Sequence, residues 1–144
     1  GARLVTGGRR YKEADCGKGF FVEPTLFADV DNRSRIAQEE IFGPVLCAIP
    51  FRDENEALEI ANDTMYGLGA AVHTKDINRA LKMAKAIQAG RVWVNTYHEY
   101  PAHAPFGGYK ESGFGRENHM IMLEHYTQNK NILIGTSDSP LGLY

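Results

Sequence analysis

LGAAVHTKDINRALKMAKAIQAGRVWVN, residues 68–95, reads as an apolar run, a capped amphipathic segment and a second apolar run in succession. Residues 68–73 are short and apolar, which suits a buried strand. Thr74 or Asp76 offers a side-chain oxygen to the free N–H groups at a helix start. In the helix that follows, Ile77, Ala80, Leu81, Ala84 and Ile87 share one face, and Arg79, Lys82 and Lys85 share the other. Gly90 closes it, and residues 91–95 form the next strand. This succession predicts a parallel, right-handed βαβ unit. Helices on the sheet faces would bury the strands on both sides, which accounts for their unbroken apolar runs. The expected fold class is therefore α/β, a parallel sheet with flanking helices.

Upstream, Asp53 starts another helix, with Glu56 three residues on as in a capping box. Its apolar face is Ala57, Leu58, Ala61 and Met65, and Gly67 stands at its exit. Residues 45–51, bounded by Pro44 and Pro50, suit a buried strand. Asn32 is placed to cap a short helical turn through Ile36 and Ala37. Residues 20–22 and 25–27 read as an extended segment broken by Pro24, hence an edge or a kinked crossing. A short strand at 3–6 precedes a variable, glycine-rich surface turn around Asp15 and Gly19.

Downstream, residues 90–117 read GRVWVNTYHEYPAHAPFGGYKESGFGRE. A strand ends in a long irregular stretch dense in aromatics, prolines and glycines. Loops of this length in compact domains are uncommon and usually functional. Aromatics and prolines in such a stretch suggest a pocket wall, with a well-packed surface loop as the alternative. A helix is expected over 116–127, with Met120, Leu123 and Tyr126 inward, then an apolar strand over 131–135 and a polar tail.

The chain of 144 residues is 43% hydrophobic and 24% charged with a formal net charge of −2, which gives no reason to expect nucleic acid or an anionic membrane surface as a partner. No apolar run approaches the ~20 residues of a membrane helix. The start in GARLVTGG, without an initiator methionine, reads like the interior of a longer polypeptide. The two cysteines, Cys16 and Cys47, make no disulfide framework, and nothing suggests an oxidising compartment; a cytoplasmic setting is expected. Cys47 lies in the apolar PVLCAIPF with no cationic neighbour, which favours an inert thiol over a nucleophile. No Cys/His spacing suits zinc. No GxGxxG after a strand and no phosphate loop is present.

Two motifs carry a resemblance. PFGGYKESGFGRE at 105–117, after the strand VWVN, and EEIFGPV at 39–45 are similar to the C-terminal part of the aldehyde dehydrogenases. The wording from His98 to Glu117 most resembles bacterial enzymes acting on acetaldehyde and other short aliphatic aldehydes. The resemblance covers roughly the last third of such an enzyme. It implies that residues 1–130 are the C-terminal part of a catalytic domain and that 131–144 are an oligomerisation strand and tail. It also implies NAD or NADP as cofactor, a small aliphatic aldehyde as substrate, and a homodimer or homotetramer. The family's cysteine nucleophile, which forms a thiohemiacetal and then a thioester, precedes this region, as does its general-base glutamate.

By the same resemblance Glu40 is the ribose-binding glutamate and Phe42 packs by the nicotinamide. A carboxylate can accept two hydrogen bonds from a diol, and an aromatic can pack on a planar ring. Asn95, Tyr100 and Phe106 are expected along the aldehyde channel. Glu117 matches a glutamate supporting a water relay, although a carboxylate in a first helical turn also interacts favourably with the helix dipole. Without the resemblance, Glu39-Glu40 would read as a solvated turn and the aromatics as loop packing.

Overall fold

The computed structural model describes residues 1–12, 18–139 and 142. Cys16, Pro140 and part of the expected turn around Asp15 and Gly19 lie outside the described residues.

The βαβ unit forms as its pattern predicts. Strands β5 (Gly69–Val72) and β6 (Arg91–Val94) pair in parallel, with Ala71 opposite Trp93. Helix α3 (Ile77–Ala86) connects them and packs on both. Asp76 is its cap, accepting from the N–H groups of Asn78 and Arg79, while the Thr74 hydroxyl accepts from Asp76 N–H. Ala80, Met83 and Ile87 are buried together with Trp93 beneath. The expected face is rotated: Met83 joins it, whereas Ile77 and Leu81 are exposed.

Helix α2 (Glu54–Asn62) lies against α3. Asp53 caps it through the N–H groups of Asn55 and Glu56. Glu56 reaches back one residue further than a capping box requires, accepting from Arg52 N–H. Glu54 joins the two helices by pairing with Lys82 and Arg79. Those cations hold its carboxyl below the usual range, Lys82 more strongly than Arg79. The Asn62 side chain spans the far ends, donating to the Ala86 carbonyl and accepting from Gln88 N–H.

The expected single parallel sheet is replaced by three small ones. Strand β1 (Arg3–Thr6) pairs antiparallel with β2 (Thr25–Ala28), which pairs in parallel with β3 (Val45–Cys47). Separately, β4 (Tyr66–Gly67) pairs antiparallel with β7 (Tyr109–Lys110). The apolar run at 45–51 supplies only three residues of strand. Helix α1 (Arg35–Gln38) takes Ser34 as its N-cap residue, while Asn32 donates its amide to Asp63. Helix α4 (Ile121–Tyr126) starts five residues later than expected. Asn118 and His119, both with positive φ, interrupt the backbone before it.

The strand expected over 131–135 does not form. Residues 127–138 have no regular structure, and Ile132, Leu133 and Ile134 are 69%, 89% and 80% exposed. A segment becomes a strand only when it pairs with an edge that completes its hydrogen bonds, and none of the described strands pairs with this one.

Exposed apolar surface extends well beyond this tail. The chain exposes 11913 Å², against about 7400 Å² for a folded monomer of this mass. Phe42, Leu46, Phe51, Met65 and Phe114 are all open to solvent.

Candidate functional site

The first group of candidates sits where α1 ends. Glu39 is its C-cap residue and turns back to pair with Arg35 at 2.8 Å. Glu40 follows with no hydrogen-bond or ion-pair partner among the described residues. Phe42 has φ +56° and is 93% exposed. The left-handed region is uncommon for a bulky side chain, and such outliers cluster at functional sites. Glu40 and Phe42 line one groove of about 430 Å³ together with Cys47 and Ile49. Glu40 also borders a second groove, with Tyr66, Glu111 and Ser112. The Cys47 thiol is half-buried and donates toward the Ile36 carbonyl at 3.4 Å, the setting of an inert thiol.

The second group is built on the end of β6. Asn95 has φ +55°, and its amide is held from both sides by Thr74, accepting from the N–H and donating to the carbonyl at 2.9 Å each. That clamp ties the ends of β5 and β6 together and occupies both polar atoms of the side chain. Beyond it the aromatics of the loop pack edge to face. Tyr100 lies 5.6 Å from Trp93 and 5.1 Å from Phe106, ring centre to ring centre. His98 stacks parallel to Trp93. Such pairs prefer these geometries because the ring edge is positive and the face negative.

Phe106 and Glu117 form an isolated antiparallel bridge, which closes the loop 107–116 at its base. Inside that loop the Arg116 guanidinium donates to the carbonyls of Gly108 and Gly115. Two glycines are required here by close backbone approach. A Cβ on Gly90 would run into the Gly107 carbonyl, and one on Gly107 into the Gly115 carbonyl. Lys110 fastens the loop to the exit of α2, donating to the carbonyls of Asn62 and Thr64. Glu117 is exposed and precedes α4, so the first-turn dipole role does not apply to it.

The structure therefore brings Glu40 to Phe42, and Tyr100 to Phe106, as two neighbourhoods. Neither groove that Glu40 borders is lined by Tyr100 or Phe106. Sequence reasoning missed Arg91, whose guanidinium lies among the rings of Trp93, Tyr100 and Phe106. The signal was available: Arg91 and Trp93 are two apart on a strand and so share a face. Among the described residues, no group of three His, Cys, Asp or Glu side chains could hold a metal ion, and no helix is long and apolar enough to cross a membrane.

The chain is 58% identical over 144 residues to an aldehyde dehydrogenase of Deinococcus radiodurans, covering 100% of the chain and 28% of that protein. It is 58% identical over 145 residues to acetaldehyde dehydrogenase 2 of Cupriavidus necator, with the same coverage. Betaine aldehyde dehydrogenase from Staphylococcus aureus, solved in complex with NAD+, superposes with a TM-score of 0.93 at 44% identity, covering 100% of the chain and 29% of that structure. The chain thus spans between a quarter and a third of the length of these relatives. The profile of the aldehyde dehydrogenase family matches residues 1–132, and the chain belongs to that family.

Proposed function

We propose that these residues are the C-terminal part of the catalytic domain of an NAD(P)-dependent aldehyde dehydrogenase, one that oxidises small aliphatic aldehydes to carboxylic acids. The nucleophilic cysteine and the general-base glutamate belong to the segment that precedes this one. The observation that carries the reading is the joint presentation of Glu40 and Phe42. A carboxylate without a partner among the described residues and a phenyl ring almost wholly exposed border one groove. An unpaired carboxylate suits a ribose diol, and an open aromatic face suits a flat nicotinamide. NAD or NADP, when bound, supplies the hydride acceptor. Glu40 would hold the ribose and Phe42 would limit the swing of the ring, so that the reacting faces meet in one orientation. The NAD+ complex of the S. aureus relative and the name of the C. necator relative support the cofactor and the substrate class.

Tyr100 and Phe106 form one apolar wall of the aldehyde channel, with Asn95 fixing its base through Thr74. Glu117 supports the water that releases the acid. Residues 131–144 are the oligomerisation segment, adding to a sheet of a neighbouring subunit in a homodimer or homotetramer. The exposed apolar surface supports a segment whose core is completed by the rest of a longer polypeptide. The test compares NAD(P)H formation with acetaldehyde and propanal in the full-length enzyme and in residues 1–144 alone. Turnover by the full-length enzyme only is expected. Turnover by the segment that disappears in a Cys47→Ser variant would overturn the reading.

A further inference from the structure

Arg91 opens β6 on the same face as Trp93, and its guanidinium reaches across the loop that follows. One terminal nitrogen donates to the Glu99 carbonyl at 3.0 Å. The other donates to the carbonyls of Ala104 at 3.0 Å and Pro105 at 2.9 Å. These acceptors stand at the two ends of the excursion 99–105. The guanidinium carbon lies 5.2 Å from the ring centres of both Tyr100 and Phe106. The Trp93 ring, 5.9 Å away, closes the remaining side, and its own N–H donates to the Glu99 carbonyl. Among the described residues no carboxylate pairs with Arg91, so its charge is met by carbonyl dipoles and ring faces.

We infer that Arg91 is the positioning residue that sets the shape of the wall formed by Tyr100 and Phe106, and through it which aldehydes the channel admits. The inference rests on the reading of those two rings as channel wall. A guanidinium is a rigid planar fork that can address diverging acceptors at once while presenting its faces to aromatic rings. Both ends of the loop, and both rings on it, are therefore referenced to one plane anchored on a strand. A lysine ammonium is a compact point donor on a flexible stem and cannot hold three carbonyls at two ends of a loop. Asn95 clamps the strand ends independently through Thr74, so loss of the guanidinium frees the wall and leaves the strands paired.

The test uses the full-length enzyme with Arg91→Lys and Arg91→Met, assayed with acetaldehyde, butanal and hexanal. Expected is a change of about tenfold in the acetaldehyde-to-hexanal ratio of kcat/KM, carried by aldehyde KM, because apolar pocket contacts discriminate at that scale per methylene. The KM for the cofactor stays within about twofold of wild type, since Arg91 lies outside the groove of Glu40 and Phe42. An equal fall in kcat/KM for all three aldehydes overturns the inference and leaves the channel reading intact. Loss of folding in both variants also overturns it, because Arg91 would then hold the fold and not the wall. Wild-type enzyme without aldehyde turnover removes both.

Discussion

Phe106 and Glu117 exchange both backbone hydrogen bonds, Phe106 N–H to the Glu117 carbonyl at 2.9 Å and Glu117 N–H to the Phe106 carbonyl at 2.8 Å. Main-chain atoms make this bridge, so the Glu117 carboxylate is left out of it and is exposed. In the full-length enzyme Glu117→Gln should therefore keep the fold and its melting temperature. It should slow release of the acid by about tenfold, less than the 10²–10⁴ that a direct general base supplies. Stopped-flow measurement separates the NADH burst from the steady rate. A steady rate equal to wild type would remove Glu117 from the relay.

Tyr100→Ala and Phe106→Ala should change the preference among aldehydes of different length. A methylene in an apolar pocket is worth about 1–3 kcal/mol of discrimination. The relative kcat/KM values for acetaldehyde and hexanal are the readout. If both fall by one factor, the rings pack the loop and do not select substrate.

Glu40→Gln keeps the shape of the side chain and removes its charge. Loss of one charge-assisted hydrogen bond costs about 1.5–3 kcal/mol, or roughly ten- to hundredfold in binding or in hydride transfer. Glu40 has no partner to lose within the described residues, so stability should be unaffected. Cofactor titration and single-turnover hydride transfer, both unchanged, would place Glu40 outside the site.

The parts legible in the sequence are those governed by local rules. Asp53 and Asp76 cap their helices as their positions predict, and β5 and β6 pair in the expected parallel sense. What escaped was set by contacts distant in sequence. Strand β4 exists because Tyr66 and Gly67 find Lys110 and Tyr109, more than forty residues away. Strand β1 pairs antiparallel to β2, across a turn whose partner strand the sequence does not name. Asn118 and His119 take positive φ just before α4; both types are enriched there among non-glycine residues, yet most of their kind stay at negative φ. At the site, Glu40 with Phe42 and Tyr100 with Phe106 were chosen from motif resemblance and are brought together pairwise. Arg91 was passed over because a cation at a strand start reads as solvated unless its aromatic neighbours are counted.

Acid should loosen the first turn of α2 before the βαβ unit on which α2 packs. The N–H groups of Glu56 and then Asn55 hold the Asp53 carboxyl below its usual value. Lys82 and then Arg79 do the same for Glu54, and Arg52 for Glu56. A depressed folded-state pKa stabilises above the unfolded value, and that contribution is lost as pH falls through the folded value. The loss therefore belongs below the ordinary carboxylate pKa of about 4. Far-UV circular dichroism of thermal unfolding, followed downward from neutral pH, should show stability falling in that window. The slope should be shallower in Asp53→Asn, and an identical slope would deny the cap its part in it.

The isolated segment should not behave as a monomer. Ile132, Leu133 and Ile134 lie in an uncharged stretch, largely exposed and paired with none of the described strands. The three small sheets leave several unpaired edges, including the outer sides of β5 and β6. An unpaired edge is a template for another chain, and an apolar segment with no edge of its own is the complementary piece. Two copies can satisfy each other by exchanging their terminal segments, a closed arrangement that a second copy completes at little cost. Sedimentation velocity across a concentration series should show a dimer or larger species that grows with concentration. Ile132→Lys and Ile134→Lys should weaken it, because burying an unpaired ammonium in an apolar contact is strongly unfavourable. A single monomeric species at high micromolar concentration would show that the exposed edges do not recruit a second copy. Assembly undiminished in both lysine variants would move the contact to the open faces around Phe42, Leu46 and Phe51, where the apolar surface is also uncovered.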